Sequence, residues 1–432
     1  QFSHPKADQR VTICIGIPEA AAPGPAAASA GAPRRRMSGG GSPAAPSPAL
    51  SGRGARIAGA APGLLDEGFA LYLADPFDRQ RNPEGVLNLG TSGNALCFDL
   101  IEERVSAAAA CRAACRPLLG PVRVTAEHGS HLQGRTPESP QIYGYLIPAP
   151  YYGGINSKMW LYGELQPVHV PLFSEVTFWL FVYFNRHFTS SSPKKKKSLI
   201  LINPHNPLGD IYPAQLLKEC LEFAHRYELH VIMDEIYMLS VYGDVTFTSV
   251  LSLESKKYTS VFFLSSKDFG MSGIRVGVLY TRNHEIQKAV NQLAVFHSCP
   301  GPVQHVLSQF LKDRDWMDNV FFPTNKKRLK EAQNLLVDGL ADIGVPVLKS
   351  SGGLYVWADF RKFLKSQTFE AELELWQKLL DKKLLISPGK AFCCYEPGWF
   401  RLVFSNSVDK IYLCKGNQPP FSISPSCQFL SD

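Results

Sequence analysis

The stretch that decides the fold is SLILINPHNPLGD, residues 198–210. SLILIN is apolar at consecutive positions over the length of one strand, so both faces of that strand must be covered. NPHNPLG then breaks the strand, because Pro removes a ladder donor and Asn and Gly favour turns. Working downstream, Pro213–Tyr227 reads as a helix, with Leu216, Leu217, Cys220, Phe223 and Ala224 on one face. HVIMDE (230–235), SVFFLS (260–265) and Arg275–Tyr280 read as further strands. Strands apolar on both sides and separated by a helix predict an α/β domain of the open, wound type with a mostly parallel sheet.

Further out, VLNLG (86–90) predicts a short strand after an arm that starts near Phe69, and order returns at YLIPAPYYGGI (145–155). Beyond Thr281 helices are expected over 287–297, 302–311, 325–340 and 370–381, with strands at 352–359 and 400–405. That alternation predicts a smaller α+β C-terminal domain. The expected division is a disordered low-complexity tail over 1–67, a large domain over 68–285, a small domain over 286–415 and a Pro-rich tail over 416–432. Residues 104–141 and 178–197 fit neither the helical nor the strand period.

The chain has 45 basic and 38 acidic residues, a net charge of +7. Arg34–Arg36 and Lys194–Lys197 account for that surplus, which excludes a distributed basic face for nucleic acid. The lysine run reads as a solvated loop. Ten scattered cysteines without a CxxC pair predict reduced thiols, no metal site and a cytoplasmic protein. The longest dense apolar run, Phe178–Phe184, is too short for a membrane span. The opening residues show no charged start followed by an apolar stretch, so no leader is expected.

Four features stand at predicted strand ends: Asn203–Gly209, Asp234–Tyr237, Ser265–Lys267 and Arg275. The C-terminal ends of parallel strands line one crevice, so these side chains should converge. Singly each has a plain reading, as a turn, a helix cap, a surface loop or an ion-pair partner. Together they suit pyridoxal 5'-phosphate. A lysine amine forms a Schiff base with its aldehyde, and a carboxylate keeps its ring nitrogen protonated. By this reading Lys267 is the amine and Asp234 the carboxylate. Tyr237 and Asn206 hydrogen-bond the ring 3-oxygen, and Arg275 with Ser266 hold the phosphate. A dinucleotide-dependent oxidoreductase is excluded, because no GxGxxG stands at the first strand–helix turn.

NPHNPLGD, VIMDEIYMLS, SSKDFGMSGIRVGVLY and EPGWFRLVF, with NLGTSGNALCFDLI and IPAPYYGG upstream, resemble signature blocks of the 1-aminocyclopropane-1-carboxylate synthases and their animal synthase-like relatives. These belong to the class I/II aminotransferases, fold-type I pyridoxal-phosphate enzymes. The resemblance covers about residues 68–103, 142–177 and 198–410. It implies that Lys267 is the Schiff-base lysine and general acid/base, that Arg401 clamps the substrate α-carboxylate, and that Tyr152, with Tyr151 second to it, lies against the cofactor ring. It implies an α-amino acid substrate and a family-type homodimer. The chain departs from the pattern at Gly93, where the synthases carry a glutamate associated with ring closure. It also departs over 104–141, where the family has a Gly/Ser-rich phosphate turn and interface helices, over 178–197, and after Asp409. Transamination, deamination and elimination stay open. The alternative is an impaired or mis-spliced family member that keeps the fold without activity.

Overall fold

The computed structural model describes residues 57–110, 143–172, 195–253, 259–263, 265–274, 276–293 and 299–406, together with the short strand β1 (Thr12–Cys14). The large sheet contains β1, β3 (Tyr143–Ala149), β4 (Gln166–Pro171), β5 (Lys195–Ile202), β6 (His230–Asp234), β7 (Thr259–Phe263) and β8 (Gly277–Thr281). Their spatial order is β1-β8-β7-β6-β5-β3-β4. Strands β4, β3, β5, β6 and β7 pair in parallel, with Ser198 opposite His230 and Val231 opposite Thr259.

The core of this sheet follows from the period-two alternation of a strand. Leu199 and Leu201 point to one face and join Leu217, Cys220 and Phe223 of helix α4 (Ala214–Arg226). Ile200 and Ile202 point to the other and join Tyr145, Ile147 and Met159, the last on helix α3 (Gly154–Gly163). A fully buried Leu or Ile contributes about 1.5–3 kcal/mol, so the apolar run in β5 keeps this strand in the sheet's interior, between β6 and β3. β5 also reaches back to Lys195, into the lysine run expected to be a loop.

The sheet is mostly parallel as expected; β8 is the exception, running antiparallel to β7 with Phe263 opposite Val278. The connection between them holds the short turn Ser265–Asp268 and a 3-10 turn over Ser272–Ile274. The chain therefore turns over residues 265–274 and re-enters the sheet beside the C-terminal ends of β5, β6 and β7. That geometry puts the turn carrying Lys267 at the crevice.

A second layer contains β9 (Tyr355–Asp359), β11 (Ser387–Pro388) and β12 (Trp399–Val403), all antiparallel. Helices α7 (Phe322–Asp342) and α8 (Phe369–Asp381) pack on it, burying Leu329, Leu336, Leu375 and Leu379 with Leu354 and Phe400. Helices α5 (His284–Leu293) and α6 (Gly301–Lys312) precede it.

The N-terminal part differs from expectation. The segment assigned to the end of a tail and an arm holds helix α1 (Leu64–Ala74), which begins inside the stretch read as low-complexity. β2 (Leu87–Asn88) pairs in parallel with β10 (Leu384–Leu385), nearly 300 residues away. The Leu89 carbonyl accepts from the Val403 N–H, and the Ala95 N–H donates to the Ser405 carbonyl. Residues 87–95 are thus sewn into the second layer. Helix α2 (Phe98–Ala110) continues into the segment expected to lack periodicity, while residues 111–142 and 173–194 lie outside the described residues.

Candidate active site

The loop after β5 is closed by its own hydrogen bonds. Asn203 Oδ1 accepts from the Tyr212 N–H at 2.9 Å, and the Gly209 N–H donates to the His205 carbonyl at 2.7 Å. Gly209 has φ +73°, and a Cβ there would lie 2.5 Å from the Ser350 Cβ. Only glycine suits that position, both for its backbone and for its space. The loop sets Asn206, nearly buried, against Arg401: its Oδ1 accepts from Arg401 Nη1 at 3.0 Å.

Asp234 ends β6, and its Oδ1 accepts from the Ile236 N–H at 3.2 Å. Burial pushes its carboxyl up to about 6, against the lowering pull of that N–H and of the Lys267 ammonium. A raised folded-state pKa means that this group's contribution to stability is complete below about 4 and lost as pH climbs through about 6. Tyr237 is fully buried; burial lifts its phenol to about 12, and the Arg401 cation opposes the shift.

Lys267 lies in a single helical turn, Ser265–Asp268. Its Nζ donates to the Ser92 carbonyl at 2.8 Å and lies 3.4 Å from Ser92 Oγ. Ser92 Oγ is 3.2 Å from the Tyr237 hydroxyl, so one serine touches both groups. The neighbouring Asp268 anchors the turn. Its carboxylate accepts from Ser240 Oγ at 2.6 Å and from the Leu239 N–H at 3.1 Å. Replacing Asp268 with alanine leaves both donors buried and unpartnered, which is expected to cost about 2–4 kcal/mol. Chemical denaturation checks this, and a loss below about 1 kcal/mol would show that the anchor is unimportant.

Arg401 stands on β12 and is 2% exposed. Its Nη2 donates to the Gly90 carbonyl at 2.6 Å, and its guanidinium lies over the rings of Phe392 (4.7 Å) and Tyr355 (5.2 Å). Its Nε is buried without a hydrogen-bond partner. Burial lowers the guanidinium pKa from its ordinary value.

One cavity of about 140 Å³ is lined by Ser92, Tyr152, Asn206, Tyr237, Lys267 and Arg401 among others. The structure separates the two candidate tyrosines. Tyr151 is fully buried, its hydroxyl bonded to Asn156 Oδ1 and 2.9 Å from His169 Nε2. Tyr152 is 37% exposed and lines the cavity. Arg275 and the side chain of Ser266 lie outside the described residues. Asn206, expected at a ring oxygen, is partnered with Arg401 here.

Sequence reasoning missed Ser92, the Gly90 carbonyl and the wall that α1 contributes. The available signal was the TSGN run at 91–94, a turn of small residues directly after a strand. The donor set fits pyridoxal 5'-phosphate: an amine, a phenol, an amide and a partly unpartnered guanidinium line one cavity, and a carboxylate, Asp234, ends the strand two residues before Ile236 of that lining.

A strand-end cavity with a lysine at a short helical turn, closed by a second layer bearing an arginine, defines the aminotransferase class of fold. Solved structures agree. A Thermus thermophilus aspartate aminotransferase tetra mutant complexed with tryptophan aligns with TM-score 0.66 at 18% identity, over 84% of this chain and 97% of that one. The chain belongs to the family "Aminotransferase class I and II", whose match spans residues 144–413. It is 41% identical over 394 residues to 1-aminocyclopropane-1-carboxylate synthase-like protein 1 of Bos taurus, covering 81% of this chain and 78% of that protein. It is 38% identical over 389 residues to the probable inactive 1-aminocyclopropane-1-carboxylate synthase-like protein 2 of Homo sapiens, covering 79% and 68%. The fold and family are those of pyridoxal-phosphate-dependent enzymes. Among the described residues, no helix is long and apolar enough to cross a membrane.

Proposed function

We propose that this chain binds pyridoxal 5'-phosphate at Lys267 and acts on α-amino acids whose carboxylate Arg401 receives. The observation that supports it best is the pairing of a lysine amine with a buried, partly unpartnered arginine across one cavity. When bound, the cofactor supplies an electron sink for the substrate's Cα. The chain's own residues do the rest. Lys267 holds the cofactor covalently and carries a proton at Nζ. Asp234 accepts the ring N–H, Tyr237 and Asn206 orient the ring 3-oxygen, and Tyr152 covers one face. Ser266 and Arg275 take the phosphate. A large domain ending near residue 285, a cytoplasmic setting and a family-type homodimer belong to the same reading.

Titrating the full chain with pyridoxal 5'-phosphate tests it. A saturable visible absorbance band is expected, with stabilisation of about 2.7 kcal/mol at a hundredfold excess over Kd. Affinity is expected to rise as pH climbs through about 6, because only ionised Asp234 can accept the ring N–H. A chain with no saturable band at any pH would not be a pyridoxal-phosphate enzyme.

A second reading, an impaired family member, is favoured by Gly93, which stands where the synthases carry a glutamate. A Cβ at Gly93 meets nothing within 4 Å. Gly93→Glu is therefore expected to fold with stability within about 0.5 kcal/mol of the unmodified chain, as read by urea denaturation. A larger loss would show that the glycine is kept for packing.

A further inference from the structure

We propose that the cavity takes α-amino acids with a neutral, apolar side chain and refuses those with a second carboxylate. The inference rests on the cofactor reading above. An α-amino acid presents three groups at its Cα. Arg401 suits the carboxylate, Lys267 stands where the amine is handled, and Tyr152, Asn206 and Tyr237 are engaged by the ring. The remaining lining must meet the side chain.

That lining is mainly apolar, and its hydroxyls are engaged within the protein, Thr91 Oγ1 accepting from Asn88 Nδ2 and Ser387 Oγ donating to the Gly90 carbonyl. Leu64, Leu65 and Phe69 come from α1, and Trp376, Ile386 and Pro388 from the second layer. The wall is held by close packing: a Cβ at Gly68 of α1 would lie 2.7 Å from Leu385 and 3.2 Å from Trp376. The indole of Trp376 offers the cavity no donor, because its Nε1 is committed to the Ile386 carbonyl at 2.8 Å. Among the described residues, the one charged side chain that this wall adds to Lys267 and Arg401 is an acid, Asp66. It lies at the exposed rim, and its Oδ2 accepts from the Gly63 N–H at 3.1 Å.

Among the described residues, a side-chain carboxylate entering here meets no cation beyond Lys267 and Arg401, loses its water and faces Asp66. Such an unpaired charge is disfavoured strongly. A cationic side chain would meet Asp66 only where solvent screens it. An apolar side chain buries its surface against leucine, phenylalanine and tryptophan.

The experiment uses the full chain loaded with pyridoxal 5'-phosphate. L-Phenylalanine, L-methionine, L-aspartate and L-lysine are titrated at one pH and ionic strength, and the change in the visible band and in Tm is read. Half-saturation for phenylalanine and methionine is expected at least about tenfold below that for aspartate and lysine. Phe69→Arg and, separately, Leu64→Lys place a cation in the wall, and each is expected to shift the preference toward aspartate by about tenfold. Tighter binding of aspartate or lysine to the unmodified holo-protein would overturn the inference while leaving the cofactor reading intact. Absence of the band itself would overturn both.

Discussion

Replacing Lys267 with alanine is expected to abolish the visible band that the unmodified chain gains with pyridoxal 5'-phosphate. Lys267 supplies the one primary amine lining the cavity among the described residues, so no neighbour can take over the covalent link. An amine must lose its proton to react, and an ordinary lysine side chain does so only near about 10.4. The site supplies a carbonyl, the Ser92 O at 2.8 Å, that orients the amine. The substitution also removes the cation that opposes burial at Asp234, so that carboxyl moves further above about 6. The fold should survive, because the turn is anchored by Asp268 rather than by Lys267. Absorbance spectra of both proteins, with circular dichroism as the control for folding, decide the matter. A band of equal strength in both would mean that the cofactor is held elsewhere.

Arg401→Lys should leave the band in place and weaken amino-acid binding by about a hundredfold. The guanidinium now spans Asn206 Oδ1 and the Gly90 carbonyl at once, and it presents a planar fork to a carboxylate. An ammonium reaches fewer of these partners. Losing two charge-assisted hydrogen bonds at about 1.5 kcal/mol each gives about 3 kcal/mol, and each 1.4 kcal/mol is tenfold. The concentration of amino acid that half-perturbs the band reads this directly. An unchanged value would show that Arg401 supports the fold and does not meet substrate.

How much of this was legible in the sequence depended on how local the signal was. The central strands were plain, because runs buried on both faces announce themselves without a partner. Asp234, Tyr237 and Lys267 were legible because each follows such a run. The antiparallel return of β8 was not, since a strand's own sequence carries no mark of its direction. Helix α1 was read as an arm for two physical reasons. Its N-cap is Gly63, which offers no side-chain cap, and Leu71 and Leu73 are exposed on its outer side, which blurs the apolar face. β2 has two residues, and its pairing with Leu384–Leu385 has no local trace. Ser92 escaped for the same reason: its importance lies in meeting Lys267 and Tyr237, which stand 175 and 145 residues away.

Arg401 is a cation sealed among neutral acceptors and aromatic faces, with Lys267 opposite and an acid, Asp234, that is only part-ionised near pH 6. The cleft is therefore an anion trap before any amino acid arrives. Acetate, formate and citrate carry the very group that Arg401 is shaped to hold. Preparations kept in such buffers should show raised half-saturation for every amino acid, and dialysis into a zwitterionic sulfonate buffer should restore it.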